Sequence, residues 1–175
     1  MAIQNYLTNY VGSEDLLGNP IEAAPRQSGV RLSFIQNTVS PLSTDSSTST
    51  YLLVKNLQPA VILTRMDLEV DANTGGTSYS IGLYDAYVGG LTSTPTALAA
   101  GCYMNSVDIH AGSTFAAPIN GIQALTHENT MQPAYILAGQ TLFNAKAYYD
   151  LVLTANTAAS TAFNLTARIY LIPAG

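Results

Sequence analysis

Ile62-Leu63-Thr64-Arg65-Met66-Asp67-Leu68-Glu69-Val70-Asp71 alternates with a period of two. Ile62, Thr64, Met66, Leu68 and Val70 fall on one face, and Arg65, Asp67, Glu69 and Asp71 on the other. Successive side chains of a strand point to opposite sides of a sheet, so this pattern predicts a half-buried β-strand. The strand closes at Asp71-Ala72-Asn73-Thr74-Gly75-Gly76, residues that tolerate a turn. Alternation resumes with Tyr79, Ile81 and Leu83 opposite Ser78, Ser80 and Gly82. The two segments read as a hairpin.

Working outward, the C-terminal stretch repeats the pattern. Tyr149, Leu151, Leu153 and Ala155 share one strand face, and Phe163, Leu165, Ala167, Ile169 and Leu171 share one face of the next. The outward residues of the last strand, Asn164, Thr166, Arg168 and Tyr170, are polar or amphipathic, so one sheet face packs on a core while the other meets solvent or a neighbour. Weaker strand signals fall at Val30 to Asn37, Tyr51 to Asn56, Cys102 to Ile109 and Ala134 to Leu137. The total is about eight strands with turn-rich connections, an all-β antiparallel sandwich. The nearest helix candidate is Thr94-Pro95-Thr96-Ala97-Leu98-Ala99-Ala100, with Thr94 as cap and Pro95 in the first turn.

Residues 1–29 read differently. Gly12, Gly18, Pro20, Pro25 and Gly29 break regularity, so this part is expected to be an irregular N-terminal arm ahead of a sandwich domain over 30–175. Within it, Ile3, Tyr6, Leu7, Tyr10 and Val11 have the spacing of a helix stripe. So short a helix needs a surface to bind, either a partner or its own domain, and these five residues are the candidate assembly interface. The polar run from Ser40 to Thr50 is too poor in apolar groups to be ordered by burial and is expected to be a mobile loop.

Composition narrows the function. Charged residues make up 10% of the 175, six Lys/Arg against eleven Asp/Glu, giving a net charge of -5. Typical soluble domains carry roughly 25%. A neutral polar exterior meets other protein surfaces with little cost for desolvating ions, which favours an assembly component over a free enzyme. Scattered cations weigh against nucleic acid or an anionic membrane as partner. No apolar run reaches the roughly 20 residues that span a bilayer, and Met1-Ala2-Ile3-Gln4-Asn5-Tyr6 carries no basic or apolar signal region, so synthesis in a cytoplasm is expected. The lone Cys102 reads as a small core residue.

Chemical motifs are weak. Asp108-Ile109-His110 and His127-Glu128 include ligand types without the spacing that fixes zinc. Asp71 to Gly75 resembles the start of a calcium loop, but Gly82 stands at the twelfth position, where a bidentate Glu is needed. Asp85 and Asp150 are a possible carboxylate pair. The nucleophile elbow, the phosphate-binding loop and the dinucleotide fingerprint are all missing from the sequence, so neither an enzyme nor a cofactor nor a metal site is expected. Tyr84, Tyr87, Tyr103, Tyr135, Tyr148 and Tyr170 are candidates for a stacking surface, or else for core and protein contacts.

The order of features from Val61 to Val70, then Tyr79-Ser80-Ile81-Gly82-Leu83-Tyr84-Asp85, Tyr149-Asp150-Leu151-Val152-Leu153-Thr154 and Ala167-Arg168-Ile169-Tyr170-Leu171-Ile172, resembles the head decoration, or cement, proteins of tailed bacteriophages with a jelly-roll domain. The resemblance covers roughly residues 60 to 172 and is one of style, without an invariant signature. It implies a β-sandwich of jelly-roll type on the virion surface that binds between major capsid subunits and stabilises the head. Self-association as a dimer or trimer fits symmetric lattice sites. The alternative is a carbohydrate- or receptor-binding module of a phage tail or fibre.

Overall fold

The computed structural model describes residues 2–4, 33–72, 78–86, 96–109, 111–144, 146–158 and 161–172. Its strands are β1 (Ala2–Gln4), β2 (Ser33–Val39), β3 (Thr50–Leu57), β4 (Ile62–Val70), β5 (Ser78–Asp85), β6 (Ala97–Asp108), β7 (Ile119–Asn120), β8 (Tyr149–Ala155) and β9 (Leu165–Ile172). A single helical turn, α1, spans Ala134–Leu137. One sheet has the order β1-β2-β9-β4-β7 and the other β3-β8-β5-β6, all antiparallel. Pairings β2–β9, β3–β8, β4–β7 and β5–β6 are nested, the arrangement of one long antiparallel ribbon rolled over on itself. This is the jelly roll.

The expected hairpin from Ile62 to Leu83 does not form. β4 pairs with β9 and β7, whereas β5 lies in the opposite sheet between β8 and β6. β8 and β9 are likewise divided between sheets. Alternation shows that a strand buries one face, and says nothing about which strand lies beside it. The connection after Val70 therefore crosses from layer to layer.

The core lies between the two inner faces. Leu165, Ala167, Ile169 and Leu171 of β9 join Leu63, Met66, Leu68 and Val70 of β4 on one side, against Tyr79, Ile81 and Leu83 of β5 and Leu151 and Leu153 of β8 on the other. Burying each Leu- or Ile-sized side chain contributes about 1.5–3 kcal/mol. In β4 the phase is not uniform: Leu63 is 2% exposed while Ile62 is only half-buried. A bulge between Leu63 and Arg65 resets the alternation, and the Thr64 hydroxyl donates to the Tyr170 carbonyl there at 3.1 Å. Asn37 joins the layers at one margin, its amide donating to the Leu52 and Leu53 carbonyls of β3 at 3.1 and 3.0 Å.

Three other expectations need correction, at Ala97 to Ala100, at Ala134 to Leu137 and at Ile3. Ala97 to Ala100 is strand rather than helix, because β6 finds its partner in β5 at Ala97–Tyr84 and Ala99–Leu83. Thr94 and Pro95 lie outside the described residues. Ala134 to Leu137 is helical rather than extended. Here the Ala134 and Tyr135 amides donate to the Val61 and Pro59 carbonyls, and Gly139 at φ 78° stops the turn. The Ser40–Thr50 connection is held by its own polar groups: the Asp45 carboxylate accepts from the Leu42 amide at 2.7 Å and the Tyr51 hydroxyl at 2.6 Å, while Ser49 Oγ accepts from the Ser46 amide at 3.0 Å. At the other end of the chain, Ile3 lies in extended backbone opposite Ile35, where a helix stripe was expected.

Candidate assembly surface

The chemical candidates do not converge. Tyr84 faces Asp150 and Asp85 faces Tyr149 across the β5–β8 ladder, so the two aspartates point to opposite sides of the sheet. Asp150 is buried, and its Oδ1 accepts the Asn56 amide at 2.9 Å where Asn56 adopts φ 56°. It holds a strained bend in β3. Asp71 accepts from the Asn164 amide and side chain at 3.1 and 2.9 Å, which accounts for the turn-like sequence after Val70 without a cation. Asn164 itself precedes β9 rather than lying within it. His127 and Glu128 are exposed in a turn, and His110 lies outside the described residues. Among the described residues no group of three or more His, Cys, Asp or Glu is placed to hold a metal ion. Cys102 is half-buried, and burial pushes its thiol up to about 11.

The tyrosines do not share a face either. Tyr103 is fully buried with its hydroxyl unpartnered among the described residues. Tyr84 shares a 2.6 Å hydrogen bond with Thr154 on the outer side of the β3-β8-β5-β6 sheet. Tyr170 lies on the outer side of the other sheet, and Tyr135 beside α1 contacts Phe143 edge-on at 5.7 Å between ring centroids. Tyr87 lies outside the described residues. A single stacking platform is thus not what these residues build.

Two surfaces remain. On the outer face of the larger sheet, the Arg65 guanidinium donates to Asp67 and lies 5.5 Å from the Tyr170 ring centre, and Tyr170 packs against Phe34 at 5.2 Å. Arg168 lies 3.4 Å over the Phe115 ring and donates to Gln36 at 3.2 Å. Here two of the chain's six cations are spent on neighbouring rings and side chains. This face is satisfied within itself.

The second surface lies on the excursion between β7 and β8. Met131, Ile136, Leu142, Phe143 and Tyr148 are all exposed large apolar side chains, Leu142 at 82% and Phe143 at 54%. Met131 is also held at φ 70°, a conformation unusual for a side chain of its size. α1 is tied to the residues just ahead of β4, through Val61 and Pro59, and its Tyr135 ring meets that of Phe143. Sequence reading missed this surface. The apolar residues here follow no strand or helix period, although a Leu-Phe pair inside the turn-rich run Gly139-Gln140-Thr141-Leu142-Phe143-Asn144 was a visible signal. Of the arm residues expected at an interface, Ile3 lies in β1, while Tyr6, Leu7, Tyr10 and Val11 lie outside the described residues.

The fold and surface define a jelly-roll sandwich with exposed apolar side chains between β7 and β8 and, among its described residues, no group of three or more His, Cys, Asp or Glu placed to hold a metal ion. No family model and no curated protein matches the chain. Among solved structures it is similar to a chain from the structure described as "Cyanophage Pam1 capsid asymmetric unit", with a TM-score of 0.49 and 13% identity, covering 93% of this chain and 99% of that one.

Proposed function

We propose that the protein is a non-enzymatic structural component of a virion, a capsid decoration protein that binds between major capsid subunits and stabilises the head. The observation that carries this reading is the exposed Leu142–Phe143 segment on a rigid sandwich. Apolar and aromatic side chains presented together are what the buried centre of a protein interface is made of, and a surface poor in charge lowers the cost of covering them. Jelly rolls serve viral coats, lectins and cupins alike. The scattered tyrosines favour neither a sugar platform nor, with the described His and carboxylates apart, a cupin-like metal centre.

Co-sedimentation with capsids stripped of their outer proteins tests the proposal. The wild-type chain is expected to pellet with the shells and to saturate. Leu142→Asp combined with Phe143→Ser is expected to weaken that binding at least tenfold while leaving the melting temperature within a few degrees, since both side chains are exposed. Absence of wild-type binding, or full binding by the double variant, counts against it.

A further inference from the structure

Asn120-Gly121 is the only Asn-Gly pair in the sequence, and this is the pair in which an asparagine side chain most readily loses its amide. With no side chain on the second residue, its backbone nitrogen can reach Cγ of the asparagine and close a five-membered ring. Asn120 ends β7, a two-residue edge strand, and is exposed there.

The fold holds both residues away from that reaction. The Gly121 amide donates to the Met66 carbonyl at 2.8 Å, so the nitrogen that would attack is turned toward β4. Asn120 Oδ1 accepts from the Ile122 amide at 3.1 Å and sets the turn that leaves the strand. Gly121 has no room for a protective side chain, because a Cβ there would come within 2.6 Å of Sδ of Met66, which is fully buried. What restrains the pair is local, however. β7 meets β4 at two positions, Ile119 with Leu68 and Asn120 with Asp67, and so short an edge can part without the rest of its sheet.

We infer that Asn120 is a gated deamidation site, inert while β7 lies against β4 and reactive when β7 lifts away. On opening, the Gly121 nitrogen gives its proton to solvent and bonds to Asn120 Cγ, and the side-chain nitrogen leaves as ammonia. Water then opens the succinimide at either carbonyl, leaving aspartate or isoaspartate. Neither product lets the strand close as before. Isoaspartate adds a carbon to the main chain within the ladder. Aspartate sets a carboxylate directly opposite Asp67, and like charges so placed repel, while Arg65 is already engaged by Asp67 and the Tyr170 ring. A reversible opening thereby becomes permanent at the start of the connection that carries Leu142 and Phe143.

Peptide mapping by mass spectrometry tests it on the full-length chain, incubated in mildly alkaline buffer with and without guanidinium chloride. Conversion at Asn120 ahead of every other asparagine is expected in denaturant, with a rate at least tenfold lower in the folded protein. Ser113→Ala removes the hydroxyl that donates to the Leu68 carbonyl at 2.7 Å in the segment leading to β7. That variant should raise the folded rate several-fold and leave the rate in denaturant unchanged. Equal rates in the folded and unfolded chain, or an Asn120 that survives in denaturant, would overturn the inference, and an unchanged folded rate in Ser113→Ala would remove β7 as the gate. Asn120→Asp tests the consequence by hydrogen exchange. The Gly121 amide should exchange at least tenfold faster than in the wild type while the β5–β8 ladder is unaffected, and exchange at the wild-type rate would overturn the permanent opening.

Discussion

Tyr103 and Tyr84 are both buried tyrosines, and their hydroxyls have opposite standing. The Tyr103 hydroxyl is desolvated without a partner among the described residues, whereas that of Tyr84 shares a hydrogen bond with Thr154. Leaving a buried polar group unmatched costs about 1–3 kcal/mol, and a satisfied bond contributes about 1 kcal/mol. Tyr103→Phe is therefore expected to leave the protein as stable or up to about 1 kcal/mol more stable, while Tyr84→Phe loses about that much. Urea unfolding of the two variants checks both signs. Burial also pushes Tyr79 up to about 12 and raises Tyr103 and Tyr149. Asp45 moves the other way, held below the usual carboxylate value first by the Tyr51 hydroxyl and then by the Leu42 amide. A depressed folded value means that Asp45 contributes stability above its unfolded pKa and loses it as pH falls below about 4 through the lower folded value. Melting temperatures between pH 5 and pH 2 should decline less steeply in Tyr51→Phe than in the wild type. Equal slopes would show that this contact does not set the acid response.

At the scale of elements, β5 shows how one glycine fits two strands together. Between Met104 and Ala99, opposite Ile81 and Leu83, β6 takes more residues than β5 does and swings across the outer side of its neighbour. A Cβ at Gly82 would overlap the Ala99 carbonyl oxygen and the Ala100 backbone. These are main-chain atoms that cannot turn aside. Overpacking of this kind typically costs about 1–3 kcal/mol, and Gly82→Ala should reach or exceed the top of that range. The readout is the urea midpoint, with a change under about 0.5 kcal/mol contradicting the close approach. The sequence alternation located β4, β5, β8 and β9 to within a residue or two, since each presents a regular apolar face. It failed where periodicity carries no information. Ala97 to Ala100 has the composition of a helix, and only the presence of β5 alongside makes it a strand. The shift of the buried phase at Thr64 is set by pairing with β9, which no local pattern records.

At the scale of the whole molecule, the rolled ribbon places nearly every ladder between segments far apart in sequence, with β2–β9 at one extreme and β5–β6 at the other. Local signals thus gave the sandwich class and most of the core, while the division of adjacent strands between layers is a property of the complete chain. The candidate surface was less legible than the fold. Leu142 and Phe143 sit in a connection, where exposure depends on what the rest of the chain leaves uncovered, and the tyrosines that looked like a group were dispersed by strand order. A sandwich presenting the exposed Leu142 and Phe143 side chains is suited to a lattice contact there. Cryo-electron microscopy of stripped capsids incubated with the purified full-length chain addresses this directly. The expected result is ordered density for the sandwich at symmetric positions between capsid subunits, with the Leu142–Phe143 end turned toward the shell. Shells that remain bare at saturating protein, or density contacting them only through the Arg65–Tyr170 face, would contradict it.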